Sequence, residues 1–506
     1  MGRVKISLSV VVSMLLLFSF VSIPLAEDTA QTVFETPHAE LRGLGQQPLE
    51  TTRAFYAAYR TQGASYPAID PDRSLFVRKD ERLVGLTFER IMTKLAADTG
   101  TDAKALFRQF WANLKHGDAN PVSVTEGCAD KLRLGLLSQP FALHCDTHLA
   151  RLAGLERPFV DAKQNPTFKV IAAVNRIDLK LPGDCGEYRL IVAADPKWLG
   201  ATQYVYGRDI YLIFEATLPE RGEAERCVAI QRYWARFSQM QDADIAAALE
   251  RFYLTGVTLT STGELADPAS CATVCYGIGP VIDAANMTWP TAPGDRPGQV
   301  RLNANTGTTL WSLREFKFQP TPPRHLLPVP IANTPDYSTL SDASPFVQAI
   351  SKAVLGQAGA LSSATFAGLA FKAPIETYAN QQMANSQFGK FLLDPYSDAI
   401  GTVMEDAFCK RAMVTGLSRK TLVNRLTLLS CAGCHRLSNL GLNDVGFSDM
   451  AVWPGSIDFT HISAERREAV DGQYMISDAL IKNLLPLRKA VMEAVIGVQP
   501  PTQPTK

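Results

Sequence analysis

Cys431-Ala432-Gly433-Cys434-His435 puts two thiols and an imidazole within five positions of a 506-residue chain that holds nine cysteines and seven histidines. This C-x-x-C-H spacing is the attachment signature of c-type haem. Two thiols add across the two vinyl groups of one haem, and the adjacent imidazole reaches the iron from the proximal side. Cys431, Cys434 and His435 are therefore the expected cofactor-binding residues, with His435 on the iron and one covalent haem as cofactor. Rival chemistries lack support. A structural zinc site needs four ligands, and neither a second C-x-x-C nor paired histidines lie nearby. A thioredoxin-like pair expects a strand before the motif, and a disulfide across two residues is a strained staple.

Four residues after His435 are candidates for the sixth iron position: Met450, His461, Met475 and Met492. Met475, in "DGQYMISD", sits in a turn before a helix and ranks first. His461, in "IDFTHIS", alternates with Phe459 and ranks second; an open position ranks third. Met450 follows the motif closely, and Met492 falls in a helical pattern that suits a core residue. The choice has consequences, because methionine raises the haem potential relative to histidine and an open position admits ligand chemistry.

An element must deliver the motif. In "SRKTLVNRLTLLS" Leu422, Leu426 and Leu429 recur at helical spacing, with Ser418 as N-cap. From about Leu417 to Gly497 the chain resembles a single-haem class I cytochrome c module: helix, C-A-G-C-H, loop, closing helices. That resemblance implies an electron carrier in which Cys431 and Cys434 hold the haem and His435 is the proximal ligand. One departure is visible, since Pro486 predicts that the closing helix splits into two shorter ones. The whole chain, through blocks such as "NRIDL", "CGEYRLI" and "WSLREFKF", also resembles uncharacterised exported bacterial proteins that end in a C-x-x-C-H module.

Residues 1–26 read as a signal peptide or N-terminal anchor: Arg3 and Lys5 precede an apolar run from Ile6 to Leu25, with Ala26 at the cleavage position. Export to the periplasm or outside follows, with the membrane involved only through that segment if it stays uncleaved. In an oxidising compartment thiols pair. Joining sequence neighbours gives Cys128–Cys145, Cys185–Cys227 and Cys271–Cys275, leaving Cys409.

The fold class reads as α+β. Residues 27–80 are a loop-rich N-terminal segment. Residues 80–318 form a mixed domain, with helical spacing from Glu81 to Leu114 and in "CVAIQRYWARFSQM" and "DADIAAALERFYLTG". Its strands are "FKVIAAVNRIDL", "EYRLIVAADP" and "RDIYLIFEATLP", joined too closely for crossover helices and so forming an antiparallel meander. "GQVRLNANT" and "TTLWSLREFKFQP" extend the sheet. Residues 319–343 are a proline-rich linker or strap, 344–497 a mainly α-helical region ending in the haem module (417–497), and 498–506 a disordered tail.

Arg176, Asp178, Glu187 and Arg189 fall at facing strand ends, with Arg301, Arg314 and Glu315 on later strands; cross-strand ion pairs on a solvated face explain them better than an anion-binding cleft. His144 and His148 share a helical face but read as solvated. Fifty basic and fifty acidic residues balance, so no nucleic-acid partner is expected. The leading function is an exported monohaem cytochrome that passes single electrons to a redox partner protein. Two alternatives stay open: a haem-dependent oxidoreductase whose N-terminal domain oxidises a small substrate, and a cell-surface binding protein with a secondary haem. No dinucleotide, P-loop or nucleophile-elbow motif marks a self-contained enzyme.

Overall fold

The computed structural model describes residues 68–110, 168–194, 209–269, 271, 274–288, 298–305, 310–335, 345–374, 378–379, 382–385, 417–436, 444–457 and 460–497. The leader, the tail, His144, His148, Cys128, Cys145 and Cys409 lie outside them. The helices used below are α1 (Phe88–Thr99), α2 (Ala103–Gln109), α3 (Ala224–Arg236), α4 (Asp242–Glu250), α5 (Pro345–Gly356), α6 (Arg419–Leu428), α7 (Cys431–Arg436) and α8 (Leu485–Ile496). The strands are β1 (Phe76–Val77), β2 (Phe168–Arg176), β3 (Asp184–Ala194), β4 (Asp209–Pro219), β5 (Val257–Thr260), β6 (Cys275–Ile278), β7 (Gln299–Asn305), β8 (Leu310–Phe318), β9 (Leu326–Val329), β10 (Ile331–Pro335), β11 (Tyr378–Ala379), β12 (Gln382–Asn385), β13 (Ile462–Arg467) and β14 (Tyr474–Ile476).

Helices and antiparallel sheets together make the chain α+β. An eight-stranded sheet runs β1-β2-β3-β4-β7-β8-β12, with β9 also pairing β8. The β2–β3–β4 meander and its extension by β7 and β8 follow the alternating apolar pattern of these strands. β9 and β12 share the outer edge of β8 end to end, pairing Glu315–Phe318 and Leu310–Leu313 respectively. The proline-rich stretch thus supplies one strand to the main sheet and a second, β10, that pairs β11.

Period-two alternation divides the sheet into unlike faces. Tyr188, Leu190, Phe214, Leu302 and Phe316 form an apolar face. Phe110 packs edge-on against Phe214 and Phe316, with ring centroids 6.4 and 5.5 Å apart. Tyr188 stacks on Trp234 of α3 at 6.0 Å. A disulfide from Cys185 to Cys227 ties β3 to α3, and a second joins Cys271 to Cys275, matching two of the neighbour pairs.

The opposite face carries Arg176, Glu187, Arg189, Glu215, Arg301 and Glu315. These side chains are buried apart from the partly exposed Arg189, with Glu215 and Glu315 showing 0% exposure. The expectation of a solvated face is therefore corrected. The segment from Leu417 to Gly497 covers it, and charge alternation along a strand is blind to a cover supplied from so far down the chain.

Ser418 caps α6 through its Oγ, which accepts from the Thr421 backbone N–H at 3.1 Å. Leu422, Leu426 and Leu429 are buried. The closing helix does not break at Pro486. The turn ahead, Leu480–Leu484, widens to a π-turn and α8 follows directly, with Pro486 in its first turn where a missing N–H costs little. The region is less helical than expected, since β13 and β14 form a hairpin between the motif and that helix. Among the described residues, no helix is long and apolar enough to cross a membrane.

Candidate cofactor site

The motif forms α7, one short helix, so Cys431, Cys434 and His435 fall at i, i+3 and i+4 on one face. The backbone N–H of Cys434 donates to Ser430 O at 3.0 Å, and that of Cys431 lies 3.4 Å from Thr334 Oγ1 on β10. Behind it Arg425, 1% exposed, fastens α6 to two loops. Its guanidinium donates to the carbonyls of Val445, Gly446, Leu361 and Ser363 at 2.7–2.9 Å and lies 4.2 Å from the Phe447 ring centre. Burial lowers the Arg425 pKa to about 10. No sequence pattern had singled out this residue.

A cavity opens between α7 and the charged sheet face. Its empty space, including solvent at the mouth, is about 1050 Å³. The helical segment contributes Cys431, Cys434, His435, His461 and Arg488, and the sheet contributes Arg176, Arg189, Glu215, Arg301 and Asn303. Phe76, Val174, Ile191, Ile213, Leu480 and Leu484 supply apolar wall. An apolar cavity with a few convergent polar groups is the usual form of a cofactor site.

Both thiols are unpaired. Burial pushes the Cys434 thiol up to about 12, the neighbouring Cys431 adding to the rise while Arg176 and Arg488 oppose it. Cys431 is raised chiefly by burial as well. Both stay protonated at neutral pH.

His461 lies beside them. Its ring centre is 4.6 Å from that of His435, and its Nε2 is 3.5 Å from Cys434 Sγ. A protonated thiol there donates to Nε2, which makes Nδ1–H the donor to Ser477 Oγ at 2.8 Å. Ser477 Oγ also accepts from the Leu480 backbone N–H at 3.2 Å, so the ring is anchored to the start of the closing helix. Burial, reinforced by His435, Arg488 and Arg176, holds His461 well below the ordinary histidine pKa. It is a neutral imidazole whose Nε2 acceptor faces the Cys434 thiol, the protonation state required of a metal ligand.

The other candidates sit elsewhere. Met475 is half-buried in β14 and does not line the cavity. The Met450 sulfur accepts from Asn483 Nδ2 at 2.9 Å, and Met492 is fully buried core.

The sheet wall is a ladder of ions. Arg189 bonds Glu187 and reaches Glu215 Oε1 at 2.9 Å, while Arg301 reaches Glu315 Oε2 at 3.0 Å. Gln299 Nε2 donates to Glu215 Oε2 at 2.7 Å. Burial pushes Glu187 up to about 7, with Arg189 pulling against it and Glu215 adding to the rise. Gly186, at φ +93°, makes the bulge that aims Glu187 into this face, and Asp184 Oδ1 accepts its N–H at 2.8 Å. At the ladder's end Arg176 holds Asp178 through contacts of 2.8–3.1 Å, and Arg488 approaches the same carboxylate at 3.3 Å. Burial would raise the Asp178 pKa, but the two guanidiniums outweigh it and the group is lowered.

The hairpin closes one side of the cavity. Tyr211 of β4 donates to Ile462 O at 3.2 Å and accepts from the Ala464 N–H at 3.3 Å. Arg78 and Asp80 hold the hairpin's far end through Glu468 at 2.6 Å and Arg467 at 2.9 Å.

Haem requires paired thiols, an imidazole next to them and a largely apolar cavity. The residue types present fit that group, though the His435 and His461 ring centres, 4.6 Å apart, would have to separate to take opposite sides of one iron. Among the described residues no three or more His, Cys, Asp or Glu side chains converge as a bare metal ion would need. Comparison with family models, characterised proteins and solved structures returned no match.

Proposed function

We propose that this chain is an exported c-type cytochrome that carries one covalent haem and passes single electrons to a partner protein. Cys431 and Cys434 would hold the haem, His435 would be the proximal iron ligand and His461 the distal one. One observation carries the reading: two unpaired, protonated thiols and His435 share one face of a short helix, and that face opens into the cavity holding His461.

Bound there, haem would supply reversible one-electron chemistry, at a lower potential with two imidazoles than with a methionine on the iron. The chain's own residues do the rest. Ser477 fixes the His461 ring and tautomer. Apolar residues line much of the cavity wall. In this reading the segment from Leu417 to Gly497 is the haem-bearing module, and the sheet completes its wall.

Testing the reading takes two measurements on protein recovered from the exported fraction. A pyridine haemochrome spectrum should show a c-type α band, and the intact mass should exceed that of the mature chain by one haem. A colourless protein with the mass of its amino acids alone would sink the proposal.

A second reading, a haem-dependent oxidoreductase, draws on the wall opposite the motif. Glu215, its pKa raised by burial, lines that wall with Arg189 and Arg301 and could bind and deprotonate a small substrate. Substrate-dependent haem reduction without any added redox protein would favour it.

A further inference from the structure

One corner of the cavity holds more positive charge than its immediate partners balance. Arg176 on β2 and Arg488 on α8 share a single carboxylate, Asp178. Arg488 is 3% exposed, lines the cavity, and its Nη1 has no hydrogen-bond partner among the described residues. On the same cavity Asn303, also 3% exposed, leaves its Oδ1 without a hydrogen-bond partner among the described residues. A buried guanidinium with an idle N–H forfeits hydration without recovering a bond. Elsewhere on this face Glu187, Glu215 and Glu315 are matched by Arg189, Arg301 and the buried Lys317. Those carboxylates are engaged within the ladder and do not reach Arg488 Nη1. Both Arg176 and Arg488 act electrostatically on Cys434 and His461, so the unbalanced corner adjoins the motif.

We infer that Arg488 and Arg176 form a seat for a carboxylate of the cavity's occupant. Resting on the reading above, that carboxylate is a propionate of haem. The cofactor is then held jointly by the sheet, through Arg176, and by the closing helix, through Arg488, as well as by the motif. Guanidinium is the side chain suited to this task, because its planar fork pairs both oxygens of a carboxylate and keeps its charge when buried.

Arg488→Gln in the full, exported chain tests the seat. Covalent attachment at Cys431 and Cys434 should persist, seen as an unchanged mass increment. The midpoint potential should fall, because a cation that stabilised the reduced haem is gone, and Arg488→Lys should recover part of the shift. An unchanged potential in Arg488→Gln overturns the proposal while leaving the haem assignment standing; a wild-type chain without covalent haem sinks that assignment instead.

The carboxylate's source is tested with the Cys431→Ala/Cys434→Ala variant, using haemin, haemin dimethyl ester and succinate as probes. Haemin should bind about ten- to a hundred-fold tighter than the ester, and adding Arg488→Gln should erase the difference. Equal binding of acid and ester overturns the proposal, as does succinate binding where haemin does not. Should the double-cysteine variant fail to fold, the potential measured on the covalent protein decides.

Discussion

At the residue scale the site turns on which side chain faces His435. Sequence spacing favoured Met475, which precedes a helix as such methionines do, yet its neighbours Tyr474 and Ile476 are buried and it stays half-buried in β14. His461 instead is fixed by Ser477 beside the motif's own thiol. If His461 ligates iron, His461→Ala should keep the covalent haem but turn its ferric spectrum from low-spin to high-spin, and added imidazole should restore it. Met475→Leu should leave the spectrum unchanged. The reverse result, a spectral change in Met475→Leu alone, would return the distal position to methionine.

At the element scale, geometry set far from the motif shapes the cavity. A Cβ at Gly186 would stand 3.1 Å from Arg176 O and 3.2 Å from Ile177 Cα, on top of a φ of +93°. Gly100 also has positive φ, +70°, but no atom within 4 Å of its would-be Cβ. Gly186→Ala should therefore cost about 2–3 kcal/mol and Gly100→Ala about 1 kcal/mol in urea unfolding. Equal costs would show that the bulge is not tightly held.

Asp242 at the start of α4 gathers Lys79 and Arg82 at 2.8 Å and Arg73 at 3.3 Å. Partial burial would raise its pKa, but the hydrogen bonds from Lys79 and Arg82 win and lower it to about 2. A depressed carboxylate stabilises the fold above its unfolded value near 3.8, and that contribution fades as pH falls toward 2. Asp242→Asn should cost about 1–2 kcal/mol at pH 7 after discounting for its partial exposure, with the gap to wild type closing near pH 2. A gap that is constant with pH would assign the loss to packing instead.

Legibility followed locality. The β2–β4 meander could be read because each strand carries its own alternation, and α6 because Ser418 and three leucines announce it. β9, β12 and the β13–β14 hairpin could not, being short strands whose pairing partners are distant or whose patterns are weak. The charged ladder was visible as residues, Arg176 to Glu315, but its burial was not, since nothing within those strands tells of a cover added after residue 417. The motif suggested the proposed cofactor chemistry, while its opposing wall depended on tertiary structure.

At the scale of the whole molecule, the shared cavity has a mechanical consequence. The buried apolar residues form one contiguous cluster that runs from Leu75 on the sheet side to Ile496 in the closing helix. Ion pairs at Asp80 and Arg78 bind the hairpin to the segment before β2. Separating the Leu417–Gly497 segment from the sheet would expose apolar cavity wall on both parts, Val174, Ile191 and Ile213 on the sheet and Leu480 and Leu484 on the segment. Neither part has reason to stay folded once the other lets go. Sheet and segment should therefore unfold together: if the segment carries haem as proposed, urea curves followed by far-ultraviolet circular dichroism and by the Soret band should coincide in midpoint and slope. A Soret transition displaced well below the dichroism transition would mean that the haem segment opens as a unit of its own. The sheet would then be a neighbour of the redox centre and not half of its housing.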